Sequence, residues 1–243
     1  MIVATQTYNL IELETVDSTS QYLKRYLLDQ SIDQPLVCMA HEQTAGYGQQ
    51  NRTWQSNHQS AIFSIAYPID QGLTLSGHAS LKLASLLHQS LQSQLSIPLF
   101  LKWPNDLYDA HGKVAGILIE QVLSSGGRYL VIGMGINRGE ETPGLLPDLY
   151  QASALPDFST HLLIADLMAG LQPLDFSLPW QTDQQAYWQS NGWFQKGESV
   201  LWVSNGDSQP ATYLGINSQG QAELEVHQRQ VVLSSGMNAI RKR

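Results

Sequence analysis

The sequence predicts an α+β fold: a mixed or antiparallel sheet with helices packed on one side of it, followed by a small all-β domain. Three observations predict it. Amphipathic helical stretches alternate with apolar β runs through most of the chain. Several neighbouring runs are joined by tight-turn sequences such as "DAHGK" and "SSGGR", which suit antiparallel hairpins. From about Phe194 onward the texture changes to short β runs separated by Asn-Gly-Asp and Ser-Gln-Gly turn signals. The expected division is residues 1–193 for the larger domain and 194–243 for the smaller.

Thr7 to Glu14 reads as the first strand. In "DSTSQYLKRYLLD", Asp17 or Ser18 can accept the first free N–H groups of a helix, and Leu23, Tyr26 and Leu27 supply its apolar face. "LVCMAHEQ" is a buried strand that runs into the aperiodic loop "TAGYGQQNRTWQS", and "AIFSIAY" is the strand after it. "SGHASLKLASLLHQSLQSQL" is an amphipathic helix with Ser76 as its cap and Leu81, Leu83, Leu87 and Leu91 near helical spacing. The strand "LFLKW", a hairpin around "DAHGK", and the strands "VAGILIEQVL" and "YLVIGMGINRG" follow. "ETPGLLPDLYQASALP" is an ordered Pro-rich loop, and "THLLIADLMAGL" and "WQTDQQAYWQS" are two further helices. The appendage strands are "SVLWVS", "PATYLGIN", "AELEVH" and "QVVLSS".

Composition narrows the function. A formal charge of −8, with 14% of residues charged, gives no general attraction to nucleic acid or anionic membrane, so an anionic ligand must be met locally. The one cysteine, Cys38, excludes an internal disulfide and a Cys-rich zinc site, and its apolar setting reads as a buried strand thiol. The N-terminus has no basic region followed by an apolar core, so the expected location is the cytoplasm. "GYGQQN" and "GMGINR" lack the third glycine of a dinucleotide fingerprint. No Walker loop, Gly-x-Ser-x-Gly elbow or metal-spaced histidine set occurs, and no metal ligands are assigned.

Three stretches carry chemistry, each beside a plainer reading. In "QTAGYGQQNRTW", Gly46 and Gly48 let backbone N–H groups approach a ligand, Arg52 brings charge, and Trp54 a flat face for a ring. An ordinary glycine-containing connection would look the same. In "KWPNDLYDAHGKVAGILIE", Lys102, Asn105, Asp106 and Lys113 gather polar groups at the ends of apolar strands. There an ammonium can neutralise a carboxylate and a phosphate that must meet, although a hairpin tip often carries a solvated Lys. In "DSTS" the hydroxyls can bind a ligand, or simply cap the helix.

Together these stretches resemble the biotin protein ligases. "DSTS", "EQTAGYGQQNRTW", "KWPNDLY...GKVAGILIE" and "VIGMGINRG" occur in that family's order and spacing, followed by a small β-domain. The resemblance implies a class II synthetase-like catalytic domain and an SH3-like C-terminal barrel. It implies a biotin–[acetyl-CoA-carboxylase] ligase: ATP and biotin form biotinyl-5'-AMP, Mg²⁺ accompanies ATP, and a lysine of the biotin carboxyl carrier protein then takes the biotin. Carried over by position, Ser18, Thr19, Ser20, Gln43, Gly46, Tyr47, Gly48 and Gly116 surround biotin. Lys113 bridges its carboxylate and the α-phosphate, Asp106 orients or deprotonates the incoming lysine, and Arg52 belongs to a loop closing over the adenylate. Trp54, Asn105, Asn137 and Arg241 fall on the ATP side.

Better-studied members often have arginines where this chain has Tyr47, Gln49 and Gln50, so its loop is expected to lean on glycine N–H groups and Arg52. Some members also carry an N-terminal DNA-binding domain, for which the stretch before Asp17 leaves no room, so no DNA partner is expected. No membrane partner is expected either. An edge strand such as "YLVIGMGI" could pair with a copy of itself, which leaves monomer and homodimer both open. A lipoate-type ligase, and a module that binds biotin or biotinyl-AMP without transfer, are the alternatives.

Overall fold

The computed structural model describes residues 8–73, 75, 77–139, 152–172, 174–178, 180–204, 206–236 and 238–243. Two sheets form the molecule. The larger contains β1 (Asn9–Val16), β2 (Leu36–Gln43), β3 (Ala61–Ile69), β4 (Phe100–Lys102), β5 (Asp106–Tyr108), β6 (Lys113–Ser124) and β7 (Gly127–Ile136), in the order β1-β2-β3-β7-β6-β5-β4. β1 and β2 are parallel, because the helix α1 (Thr19–Asp29) crosses between them; every other neighbouring pair is antiparallel.

The helices cover both faces of this sheet, not one. On β2, Val37 and Met39 join the large core with α2 (Ala79–Gln92) and α3 (Thr160–Leu171), whereas Leu36 and Cys38 pack with Leu23 and Leu27 of α1. The reason is legible in the strands: "LVCMA" and "AIFSIA" are apolar at odd and even positions alike, and such a strand needs cover on both sides. The helix α4 (Thr182–Ser190) contributes Trp188 to the larger core.

Local expectations meet several adjustments. Ser18, not Asp17, caps α1; Asp17 receives two hydrogen bonds from Arg25 at 2.7 and 2.8 Å. The first strand begins at Asn9, and Thr7 lies outside the described residues. His78 is the N-cap residue of α2, without a side-chain cap; Ser76 lies outside the described residues. Most of the Pro-rich loop, residues 141–151, also lies outside them. β7 sits at the centre of the sheet, paired to β3 and β6, so "YLVIGMGI" is no edge; the edges are β1 and β4.

The second sheet is antiparallel and five-stranded: β8 (Ser199–Ser204), β9 (Asp207–Ile216), β10 (Ala222–Val226), β11 (Arg229–Leu233) and β12 (Asn238–Lys242), ordered β11-β10-β9-β8-β12. β12 does not emerge from the sequence pattern, since "NAIRK" offers one apolar alternation. Val200, Leu224 and Ile240 of this sheet belong to the same continuous apolar core as α2 and β7. Two polar contacts tie the β9–β10 turn to the larger part: Trp103 Nε1 donates to the Gly220 carbonyl at 3.0 Å, and His78 Nε2 lies 2.8 Å from the Ser218 carbonyl.

Candidate active site

Strand parity creates the site. Along β6 and β7, Ile117, Ile119, Ile132 and Met134 point into the large core, and Gly116, Gly133 and Gly135 alternate with them on the α1 face. Where bulky side chains are missing from that face, a cavity of about 610 Å³ opens, a size suited to a small organic ligand. A Cβ at Gly133 would lie 2.6 Å from Ser20 Oγ, and one at Gly135 2.3 Å from the Trp54 ring, so these positions have no room for a side chain as packed.

At one end the wall is a network of neutral hydrogen-bonding groups. The Thr19 N–H donates to Gln43 Oε1 at 2.8 Å, and Thr19 Oγ1 lies 3.1 Å from the same oxygen. Thr19 Oγ1 is 2.7 Å from Ser64 Oγ, which is 2.9 Å from Ser20 Oγ. Ser64 is wholly buried on β3 and was not among the expected site residues. Its one signal was a lone hydroxyl inside the apolar run "AIFSIAY". Ser18 also lines this end while its Oγ caps α1.

At the middle, Lys113 Nζ lies 2.6 Å from Asp106 Oδ1 and 5.5 Å from the centroid of the Trp54 ring. The β5–β6 turn holds this pair in place: Asp109 Oδ1 accepts from the N–H groups of His111 and Gly112 at 2.7 and 2.8 Å. Asn105 Nδ2 donates to the Ile117 carbonyl, tying the β4–β5 turn to the body of β6. The other end is cationic. Among the described lining residues, Arg52, Lys102, Lys113 and Arg241 stand against the single carboxylate of Asp106. Burial pushes the Lys102 ammonium down to about 8; Asp106 opposes the shift, and Lys113, Arg241 and Arg52 add to it. A locally positive cavity in a chain of charge −8 suits an anion carrying several charges.

Arg52 and Trp54 sit on a strap. Tyr47 bridges Thr53, the Gly48 N–H donates to the Arg52 carbonyl at 2.8 Å, and the Trp54 N–H donates to the Gly46 carbonyl at 2.9 Å. The Gly48 N–H is therefore spent inside the strap, contrary to the expectation that it faces a ligand. At the tip, Gln50 Nε2 donates to the Gly236 carbonyl of the second sheet at 2.6 Å. Gly236, Asn238 and Arg241 line the cavity, so the second sheet completes it.

Of the expected site residues, Ser18, Thr19, Ser20, Gln43, Tyr47, Gly48, Arg52, Trp54, Asn105, Asp106, Lys113, Gly116 and Arg241 share this one wall. Two do not line it. A Cβ at Gly46 would come 2.7 Å from Gln43 Nε2, which places that residue behind the wall. Asn137 Nδ2 donates to the carbonyls of Ser153 and Lys113 at 3.0 and 3.3 Å, joining the end of β7 to neighbouring backbone. Among the described residues, no group of three or more His, Cys, Asp or Glu could hold a metal.

Residues 12–137 match the model of the biotin/lipoate A/B protein ligase family. The chain belongs to that family. It is 34% identical over 133 residues to the bifunctional ligase/repressor BirA of Salmonella typhimurium, a match covering 53% of this chain and 40% of that protein. It is 29% identical over 140 residues to the biotin–[acetyl-CoA-carboxylase] ligase of Mycobacterium tuberculosis, covering 56% of this chain and 51% of that one. The match thus spans about two fifths to one half of the length of these curated relatives. The biotin protein ligase of Aquifex aeolicus, solved in complex with biotin and ATP, shares the fold over 97% of this chain and 99% of its own, with a TM-score of 0.74 and 23% identity.

Proposed function

We propose that the chain is an ATP-dependent biotin–protein ligase of the biotin–[acetyl-CoA-carboxylase] type, forming biotinyl-5'-AMP and transferring biotin to one lysine of a biotin carboxyl carrier protein. The observation that carries this reading is the position of Lys113. Its ammonium stands between a neutral hydrogen-bonding end and a cationic end of one cavity. Thr19, Ser20, Gln43 and Ser64 suit the ureido group of biotin, and Arg52, Lys102 and Arg241 suit the phosphates of ATP.

In the first step a biotin carboxylate oxygen attacks the α-phosphorus, the bond from that phosphorus to the bridging oxygen breaks, and pyrophosphate leaves with the bonding pair. All the reacting groups are anionic. Lys113 screens their repulsion where carboxylate and phosphate meet, and the cationic end stabilises the departing pyrophosphate. In the second step the carrier amine attacks the acyl carbon, the acyl–oxygen bond breaks, and AMP leaves. A lysine at its ordinary pKa is almost wholly protonated at neutral pH, so an acceptor is needed, and Asp106 is the carboxylate on this wall. Once anionic substrate draws Lys113 away, Asp106 is available for that proton.

Asp106 already pairs with Lys113, so the wall fits a Mg²⁺ ion carried in on the phosphates and its own waters, where it supplies further charge neutralisation. We read the larger part as a class II synthetase-like domain and the five short strands of the second sheet as an SH3-like barrel. The chain is read as cytoplasmic, with no DNA or membrane partner; no helix among the described residues is long and apolar enough to cross a membrane. Self-association would use an edge of the main sheet, β1 or β4. Pyrophosphate exchange into ATP tests the substrate: exchange with biotin and none with lipoate supports the reading, and exchange with lipoate alone overturns it.

A further inference from the structure

The strap over the cavity is fastened at its base by two residues that do not touch the ligand space. Tyr47 lines the cavity, and its hydroxyl is engaged by two residues that do not, accepting from Lys24 Nζ at 2.9 Å and donating to Glu120 Oε2 at 2.7 Å. Lys24 comes from the half-buried flank of α1 and Glu120 from the far half of β6, and they also pair directly with each other. Neither lines the cavity. Both hydrogen bonds at Tyr47 involve a charged group, and each residue of the ion pair keeps only about a quarter of its side chain exposed, 24% and 27%. At the strap's other end, Gln50 and Asn51 hold left-handed backbone, φ 57° and 56°, a conformation that residues with side chains keep only where surrounding contacts enforce it.

We propose that Lys24 and Glu120 are positioning residues that hold the strap closed through Tyr47, and so set how long the acyl-adenylate is retained; this rests on the ligase reading above. The loop carries few cations of its own, with glutamines at 49 and 50, so direct charge on the adenylate is a weaker means of retention here. A tyrosine whose hydroxyl is fixed between an ammonium and a carboxylate gives the strap a rigid foot instead. Arg52 and Trp54 then hang from a segment anchored at Tyr47 on one side and at Gly236 on the other.

The test is release of biotinyl-AMP from the preloaded full chain, measured with Tyr47→Phe, Lys24→Glu, Glu120→Lys and the swapped double variant. Tyr47→Phe leaves the Lys24–Glu120 pair intact and removes only the tie to the strap. It is expected to speed release about tenfold, the scale of a lost hydrogen bond to a charged group. Each single charge reversal should do the same, and should raise the KM for biotin more than it lowers the maximal transfer rate. The swap should restore retention, because a tyrosine hydroxyl can accept from Lys at 120 and donate to Glu at 24. Tryptic cleavage after Arg52, an exposed strap residue, should quicken in the ligand-free variants and return to the natural rate in the swap. Unchanged release and cleavage in the singles, or a swap no better than either single, would overturn the proposal. A natural chain that makes no adenylate would instead sink the ligase reading, and the cleavage rates would still decide the role of the ion pair.

Discussion

Replacing Lys102 with Met is expected to make the free protein more stable at neutral pH while weakening its hold on ATP. Lys102 is 4% exposed, and burial lowers its ammonium from 10.5 to about 8. That gap corresponds to roughly 3 kcal/mol held against folding while the group is charged, since each pKa unit is worth about 1.4 kcal/mol. The sign follows from proton counting. The unfolded chain keeps this proton up to its ordinary value and the folded chain releases it above about 8. The natural protein therefore gains stability between those two values, and below about 8 the full penalty is present. Against this gain stand the contacts the ammonium makes, among them its place over the Tyr108 ring, 4.9 Å from the centroid, worth about 1–2 kcal/mol when desolvated, and its attraction to Asp106. Asp106 is not stranded by the change, because Lys113 remains 2.6 Å away. The net expectation is a stabilisation at pH 7, smaller than the roughly 3 kcal/mol burial cost. It should shrink as pH rises toward the ordinary lysine value. Denaturant unfolding of both proteins across that range, with no nucleotide present, measures it. A variant destabilised at pH 7, or a difference that does not change with pH, would show that the buried ammonium does not oppose folding. The same variant should raise the KM for ATP in pyrophosphate exchange.

Other substitutions probe the two ends of the cavity. Ser64→Ala removes the hydroxyl between Thr19 and Ser20 and should cost about 1–2 kcal/mol of stability and weaken biotin binding, as read by unfolding and by calorimetry. Gly135→Ala would place a methyl 2.3 Å from the Trp54 ring at a position whose backbone needs no glycine; the ring must move, and the KM for ATP should rise at least tenfold while Tm changes little. Cys38 is fully buried and its thiol is pushed up to about 12, so it should resist a thiol reagent at pH 8 until the chain unfolds. Prompt stoichiometric labelling of the native protein would contradict that packing.

Much of the site was legible because its chemistry is local in sequence. "DSTS" caps a helix, "KWPND" ends one strand and starts the next, and Lys113 opens β6, so spacing alone brings those groups to neighbouring strand ends. What escaped depends on pairings across the fold. Ser64 acquires its role only when β3 passes under α1, 44 residues from Ser20. Tyr47 looked like a ligand contact, and its hydroxyl partners, 23 and 73 residues away, are visible only in three dimensions. Asn137 looked like part of an adenylate site, yet its amide is used by backbone carbonyls left open at a strand end. The two-sided cover of the main sheet was written in the continuous apolar strands, and the alternation rule for half-buried strands hid it.

The β10–β11 hairpin illustrates another limit. His227 and Gln228 take left-handed backbone in a two-residue turn, φ 49° and 62°, where Asn-Gly or Gly-Gly would have announced it. Register there is fixed by the inward-facing Leu224 and Leu233, so packing overrides turn preference.

The role of Lys113 is tested by transfer of radiolabelled biotin to a purified biotin carboxyl carrier domain, with ATP and Mg²⁺, by the natural chain and by Lys113→Ala. Labelled carrier is expected with the natural chain and a collapse of labelling in the variant, with biotin binding largely kept by the Thr19, Gln43 and Ser64 network. Labelling that survives loss of Lys113, or a natural chain that binds biotin and never labels the carrier, would contradict it.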